Sequence, residues 1–355
     1  MKPERDPHKE SEADNVSSAE AQVIPLHGPG REKPRDTVEV PAEKLAEADE
    51  TERLLQAPVV NFPAPAAAPV RQPDVSELPE ALAEAIAFVR SRLTGSYTVD
   101  EFGFDAELTE TLMLPPLRAL YQKWFRVTTY GVHNLPVDGG ALLVSNHSGT
   151  LPIDALMTAV AVHDEHPKHR HMRGLGADLV FKVPFIGSFA RRIGQTLACN
   201  ADAERLLSKG ELVGVWPEGF KGIGKPFSAR YKLQRFGRGG FVSAALRTGV
   251  PIIPVSVVGA EEIYPKIGDV KVLARMLGLP YFPITPLFPL FGPLGAIPLP
   301  TKWTIEFGEP IQTDSYYPGA EEDPMLVFNL TDQVRESIQQ TLYRRLSQRQ
   351  GIFRG

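Results

Sequence analysis

Three short stretches hold residues whose types and spacing can do chemistry. The first is SNHSGTLPIDA, residues 145–155. A histidine with a carboxylate a few residues on can form a base and its orienter. The carboxylate fixes the imidazole tautomer and stabilises the imidazolium formed on proton uptake. Such a base can act on a substrate hydroxyl directly, so no serine or cysteine nucleophile is required. In that reading His147 is the base and Asp154 the orienter, with Asn146 beside them. The alternative is a polar turn in which Asp154 only caps the next helix.

The second stretch is GVWPEGFKGIGKP, residues 214–226. Read from Gly219, its glycines and lysines come one residue short of a nucleotide-binding P-loop. That loop needs a Ser or Thr after its lysine to hold Mg²⁺. Here Lys225 is followed by Pro226, which also lacks the amide a phosphate-binding helix start would donate. A P-loop is therefore excluded. No GxGxxG follows a strand, and no GxSxG nucleophile elbow occurs. Lys221, Lys225, Arg230, Lys232, Arg235 and Arg238 fall within 18 residues. They form either a site for substrate phosphates or a solvated basic face.

The third stretch, HDEHPKHRH (residues 163–171), holds four histidines. It is polar, contains a proline and matches no common zinc spacing, so it reads as a surface loop and no metal is expected.

The elements that must position these residues are legible as alternation. ALLVS (141–145), ELVGVW (211–216), VPIIPVSVVG (250–259) and KWTIEFGEPI (302–311) read as strands, and MRGLGADLVF contains another. LPIDALMTAVAVH, ADAERLLSKG and GGFVSAALRTG read as helices between them. The spacing predicts an α/β fold, a mostly parallel mixed sheet flanked by helices. Asn146 and His147 then leave a strand at its C-terminal end, where such folds place their sites.

N-terminal helices precede the sheet in this reading, one from the N-cap Ser76 and one over roughly 108–125. The aromatic-rich face of the second lies either on the domain or on a membrane surface. The expected boundaries are 76–130 for these helices, 131–312 for the catalytic core and 313–355 for a C-terminal amphipathic helix. Residues 276–300 carry seven prolines and no charge, too broken for a spanning helix. They read as a buried connection, a cover over an apolar cavity, or a segment that dips into a membrane surface.

Composition bounds the rest. The chain has 355 residues and 43% hydrophobic content. Residues 1–75 carry 11 prolines, one aromatic (Phe62) and a net charge of −6, from 9 Lys/Arg against 15 Asp/Glu. That segment cannot bury enough apolar surface to offset its ordering entropy and is expected to be a disordered N-terminal tail or a partner-binding one. The remaining 29 basic and 28 acidic residues nearly cancel, which argues against a nucleic-acid partner. One cysteine, Cys199, suits a reducing cytoplasm, and neither a secretory signal nor a transmembrane helix is expected.

His147 and Asp154, the FKVPFIGSFARRIG segment (181–194), the VGVWPEGFK block and the VPIIPV block stand in the order of the glycerolipid acyltransferases. The chain thus resembles the lysophosphatidic acid acyltransferase superfamily over about residues 115–312. The resemblance implies a His–Asp catalytic dyad, with Glu218 and Gly219 in the acceptor site. It implies transfer of a fatty acyl group from acyl-CoA (or acyl-carrier protein) as co-substrate to a lipid hydroxyl, with no cofactor. The expected setting is the cytoplasm, peripheral on the inner face of the membrane. Asn146, Lys221, Lys225 and Arg238 complete the expected substrate contacts.

Three departures bear on the acceptor. Six residues separate His147 from Asp154 where the family has four; Phe220 stands where it has Thr or Ser; Asn200 replaces a charged residue of the second block. They leave room for a neutral alcohol such as diacylglycerol or a long-chain alcohol beside lysophosphatidic acid. A non-catalytic lipid-binding protein is the reading from another class.

Overall fold

The computed structural model describes residues 80–183 and 185–354. The expected tail, residues 1–75, and the N-cap Ser76 lie outside the described residues.

Seven strands form the main sheet: β1 (Thr128–Tyr130), β2 (Ala141–Ser145), β3 (Met172–Gly176), β4 (Gln195–Leu197), β5 (Leu212–Val215), β6 (Ile252–Val258) and β9 (Thr304–Phe307). A separate antiparallel pair joins β7 (Gly268–Asp269) to β8 (Pro283–Ile284). The sheet order is β1-β9-β6-β2-β5-β3-β4. Strands β4, β3, β5, β2 and β6 run parallel, β9 is antiparallel to β6, and β1 is parallel to β9. The α/β fold with a mostly parallel mixed sheet is the architecture the alternation predicts.

The central strands are continuous apolar runs because both sheet faces are covered. Along β2, Ala141 and Leu143 enter one core with Met157, Val160 and Ala161 of the helix Ile153–Glu165. Leu142 and Val144 enter the other, with side chains from the helices Asn200–Ser208, Gly240–Thr248 and Pro324–Gln348. The last helix starts sharply: the Asp323 side chain accepts from the amides of Met325 and Leu326, and Pro324 takes the first helical position. Its Leu330, Val334, Ile338 and Leu342 are buried, whereas Met325 and Phe328 of the same apolar series are exposed.

Two regions differ from their sequence reading. The stretch 106–124 is helical, but α turns alternate with the π-helical turns Thr109–Met113 and Leu120–Trp124. Pro115 and Pro116 interrupt the regular ladder between them. The histidine-rich segment is a surface loop only in part, with Pro167, Lys168 and His169 exposed in the connection to β3. His163 is buried in the last turn of the helix Ile153–Glu165, and His166 is buried beside it. Among the described residues no helix is long and apolar enough to cross a membrane.

Candidate active site

β2 ends at Ser145, and the chain leaves the sheet through Asn146. Asn146 is fully buried, and both ends of its amide are used: Nδ2 donates to the Val257 carbonyl (3.0 Å) and Oδ1 accepts from the Val257 amide (2.8 Å). The side chain imitates one more ladder pair with β6. It therefore anchors the strand end rather than facing substrate, which corrects the expected substrate contact.

His147 follows immediately. Its Nδ1 lies 2.9 Å from Oδ2 of Asp154, whose side chain has no exposed surface. The carboxylate also accepts the amides of Ser148 (2.8 Å, on Oδ2) and Ala155 (2.9 Å, on Oδ1). A carboxylate held by three donors cannot swing away, and it can only accept from the imidazole. The proton is thereby assigned to Nδ1, which leaves Nε2 as the basic nitrogen. The six-residue connection still closes. Gly149 turns at φ 79°, Leu151 and Pro152 bulge to the surface, and Asp154 returns in the first turn of the next helix.

β5 delivers the second block one strand away. Glu218 is buried and fully engaged: Oε1 accepts from the His147 amide (2.9 Å), and Oε2 accepts from the Gln234 amide (2.6 Å) and from Lys225 Nζ (3.2 Å). Lys225 is buried as well, and its ammonium also reaches Oε1 of Glu261 (3.1 Å). Glu261 Oε2 accepts from the Tyr231 amide (2.9 Å). Burial pushes the Glu261 carboxyl up to about 7, against the opposing pull of Lys225. Glu218 and Lys225, expected to touch substrate, are instead occupied holding the backbone of His147 to the 225–234 loop. The physical reason is valence: each has spent its bonds on buried partners.

Glycine is required twice in this block for different reasons. Gly219 adopts φ 53°, ψ −145°, a region essentially closed to side-chain-bearing residues. At Gly222 a Cβ would lie 2.9 Å from His147 Cβ and 2.7 Å from Glu218 Cβ, so only glycine lets the two segments approach. Lys221 and Arg238 are exposed, in keeping with contact to a ligand from solvent. Sequence reasoning missed Glu261 and Gly222. The signal for Glu261 was an acidic pair, Glu261 and Glu262, directly after the buried run of β6.

A family model described as Acyltransferase matches residues 126–258, a span that holds His147, Asp154 and Glu218. The chain is 60% identical to the uncharacterized protein Rv0502 of Mycobacterium tuberculosis over 280 residues, 79% of this chain and 78% of that protein. Residues 126–258 thus form a domain of the acyltransferase family. It is also similar to a human protein named DGAT1/2-independent enzyme synthesizing storage lipids, with 26% identity over 196 residues, 54% of this chain and 55% of that one. The crystal structure of the 1-acyl-sn-glycerophosphate (LPA) acyltransferase PlsC from Thermotoga maritima aligns with 18% identity and a TM-score of 0.47, covering 76% of this chain and 90% of that chain.

In this acyltransferase the dyad lies among apolar groups. The Trp216 ring stands 5.8 Å from the imidazole, and Phe220 and Leu151 are exposed nearby in sequence. Residues 276–300 neither fill a core nor span anything. Met276, Leu290 (80% exposed), Phe291, Leu294 and Ile297 face outward, while Tyr281 donates to the Thr150 carbonyl of the dyad loop. Phe185, 89% exposed at φ 64°, adds a further apolar tip. A separate open cleft of about 760 Å³ is lined by Arg235, Arg238 and Arg335 with Val327 and Phe328, and by neither dyad residue.

Proposed function

We propose that this acyltransferase moves a fatty acyl group from a thioester, acyl-CoA or acyl-carrier protein, to the hydroxyl of a glycerolipid such as lysophosphatidic acid. The observation that carries the reading is the 2.9 Å hydrogen bond between His147 Nδ1 and a buried, immobilised Asp154. His147 Nε2 takes the acceptor's hydroxyl proton as that oxygen bonds to the thioester carbonyl carbon. The carbon–sulfur bond then breaks, and the thiolate takes a proton from the imidazolium. The base returns unchanged, and no cofactor enters the balance. Asp154 stabilises the imidazolium, and Asn146, Glu218 and Lys225 hold the loop that carries the base.

The donor's phosphates are anionic, and the exposed Arg235 and Arg238 with Lys221 supply matching charge. The outward apolar side chains of 276–300 and Phe185 support a protein that rests on the cytoplasmic face of a membrane, where both lipid substrates reside.

A second acceptor class has its own support. Phe220 presents an apolar face where the family carries a hydroxyl, and Lys225 is committed to two glutamates. Both favour a neutral alcohol such as diacylglycerol or a long-chain alcohol. Purified protein given one labelled acyl-CoA and an equimolar pool of lysophosphatidic acid, diacylglycerol and hexadecanol decides between them. Phosphatidic acid as the main labelled product supports the first acceptor; triacylglycerol or wax ester supports the second. Free fatty acid alone contradicts acyl transfer to either.

A further inference from the structure

At the opposite end of the sheet, where the parallel strands begin, Glu110, His163 and His171 converge. His171 immediately precedes β3, His163 closes the helix Ile153–Glu165, and Glu110 sits in the π-helical turn Thr109–Met113. One donor atom from each lies within 4.8 Å of the others. Glu110 Oε1 is 2.9 Å from His171 Nε2 and 4.0 Å from His163 Nε2, and the two imidazole rings are 4.8 Å apart.

We propose that Glu110, His163 and His171 form a binding site for a divalent transition cation of the zinc type. Two imidazole nitrogens and one carboxylate oxygen are the borderline donor set that such ions take. Metal–ligand bonds of about 2.1 Å bring two donors to at most about 4.2 Å apart, so closing the site needs a shift on the order of 1 Å. Both Glu110 pairs already lie inside that limit, so the closure falls on the two imidazoles.

A second observation points the same way. His163 Nδ1 lies 3.1 Å from Asp164 Oδ1, and Arg118 grips that carboxylate through Nε (2.8 Å) and Nη2 (2.7 Å). Arg118 Nη2 stands farther from that nitrogen, at 3.5 Å, so the carboxylate is its nearer partner and favours the tautomer that leaves Nε2 free, the arrangement that orients metal-bound histidines. Phe104, edge-on to His171 at 5.1 Å, holds the other ring.

The ion would tie together three elements, of which the one carrying Glu110 is far from the other two in sequence. It would staple the 106–124 helical stretch to the helix that carries Asp154 and to the start of β3. Its role is structural, since it sits at the end of the helix Ile153–Glu165 remote from Asp154 and His147.

Titration calorimetry with ZnCl₂ on the untagged full chain tests the site. The expected result is one Zn²⁺ per chain at micromolar or tighter affinity, with a melting temperature raised by several degrees, and no comparable response to MgCl₂. Glu110→Gln, at an exposed position that leaves the fold intact, and His171→Ala each weaken binding at least tenfold and abolish the melting shift. Absence of zinc binding, or undiminished affinity in both variants, overturns the proposal.

Discussion

One helix, Ile153–Glu165, carries a carboxylate and a histidine at opposite ends, and the two are put to different uses. Asp154 in its first turn faces His147; His163 in its last turn faces His171 and Glu110. They are nine positions apart, about 13–14 Å along the axis. At the first end one imidazole meets one buried acid, so one nitrogen is fixed and the other stays basic. At the second end two imidazoles meet one exposed acid, so basic nitrogens converge on a shared point. The number of rings and the burial of the acid, not the residue types, separate the proposed proton-transfer site from the proposed cation site.

The largest effect that breaks the comparison is at the first end. Asp154→Asn removes the tautomer lock and is expected to lower turnover about 10²- to 10⁴-fold. Glu110→Gln, at the second end, leaves turnover within about twofold. Steady-state thiol release with a folded-state check by circular dichroism measures both. Equal losses would erase the distinction between the two ends.

Gly222→Ala comes next. Its methyl would press on His147 and Glu218, and overpacking of this kind costs about 1–3 kcal/mol. Denaturant melts should show that loss together with a fall in turnover. A neutral outcome would mean that the close approach does not position His147.

The buried Glu218–Lys225–Glu261 group sharpens the first end through pH. Burial pushes its Glu261 carboxyl up to about 7, above the ordinary 4.5, so across that window the folded chain retains a proton that the unfolded chain releases. Stability is therefore highest below pH 4.5 as far as this group is concerned, and its contribution is lost as pH rises through about 7. Glu261→Gln should flatten the dependence of the melting temperature between pH 5 and 8. An unchanged slope assigns the dependence to other groups. The smallest effect is expected for Phe220→Ser, a several-fold shift of acceptor preference toward phosphorylated lipids, read as a ratio of labelled products.

The fold was legible because the central strands are buried on both faces and read as unbroken Val, Ile and Leu runs. His147 and Asp154 were legible as a pair because they are close in sequence. Which way a polar side chain turns was not legible. Asn146 precedes the base and Glu218 and Lys225 belong to the second block, yet all three turn inward and spend their bonds on backbone and on each other. Glu261 and Glu110 escaped notice because the fold, not the spacing, brings them to Lys225 and to His171. The prolines at 115 and 116 gave no hint that π-helical turns would replace a regular helix on either side of them.

The central claim is that His147 is the base for transfer from a thioester. The most direct measurement is acceptor-dependent coenzyme A release by His147→Ala, compared with the unaltered chain at saturating acyl-CoA and lipid acceptor. The account predicts a fall of about 10²- to 10⁴-fold with the melting temperature nearly unchanged. Turnover close to that of the unaltered chain would contradict it.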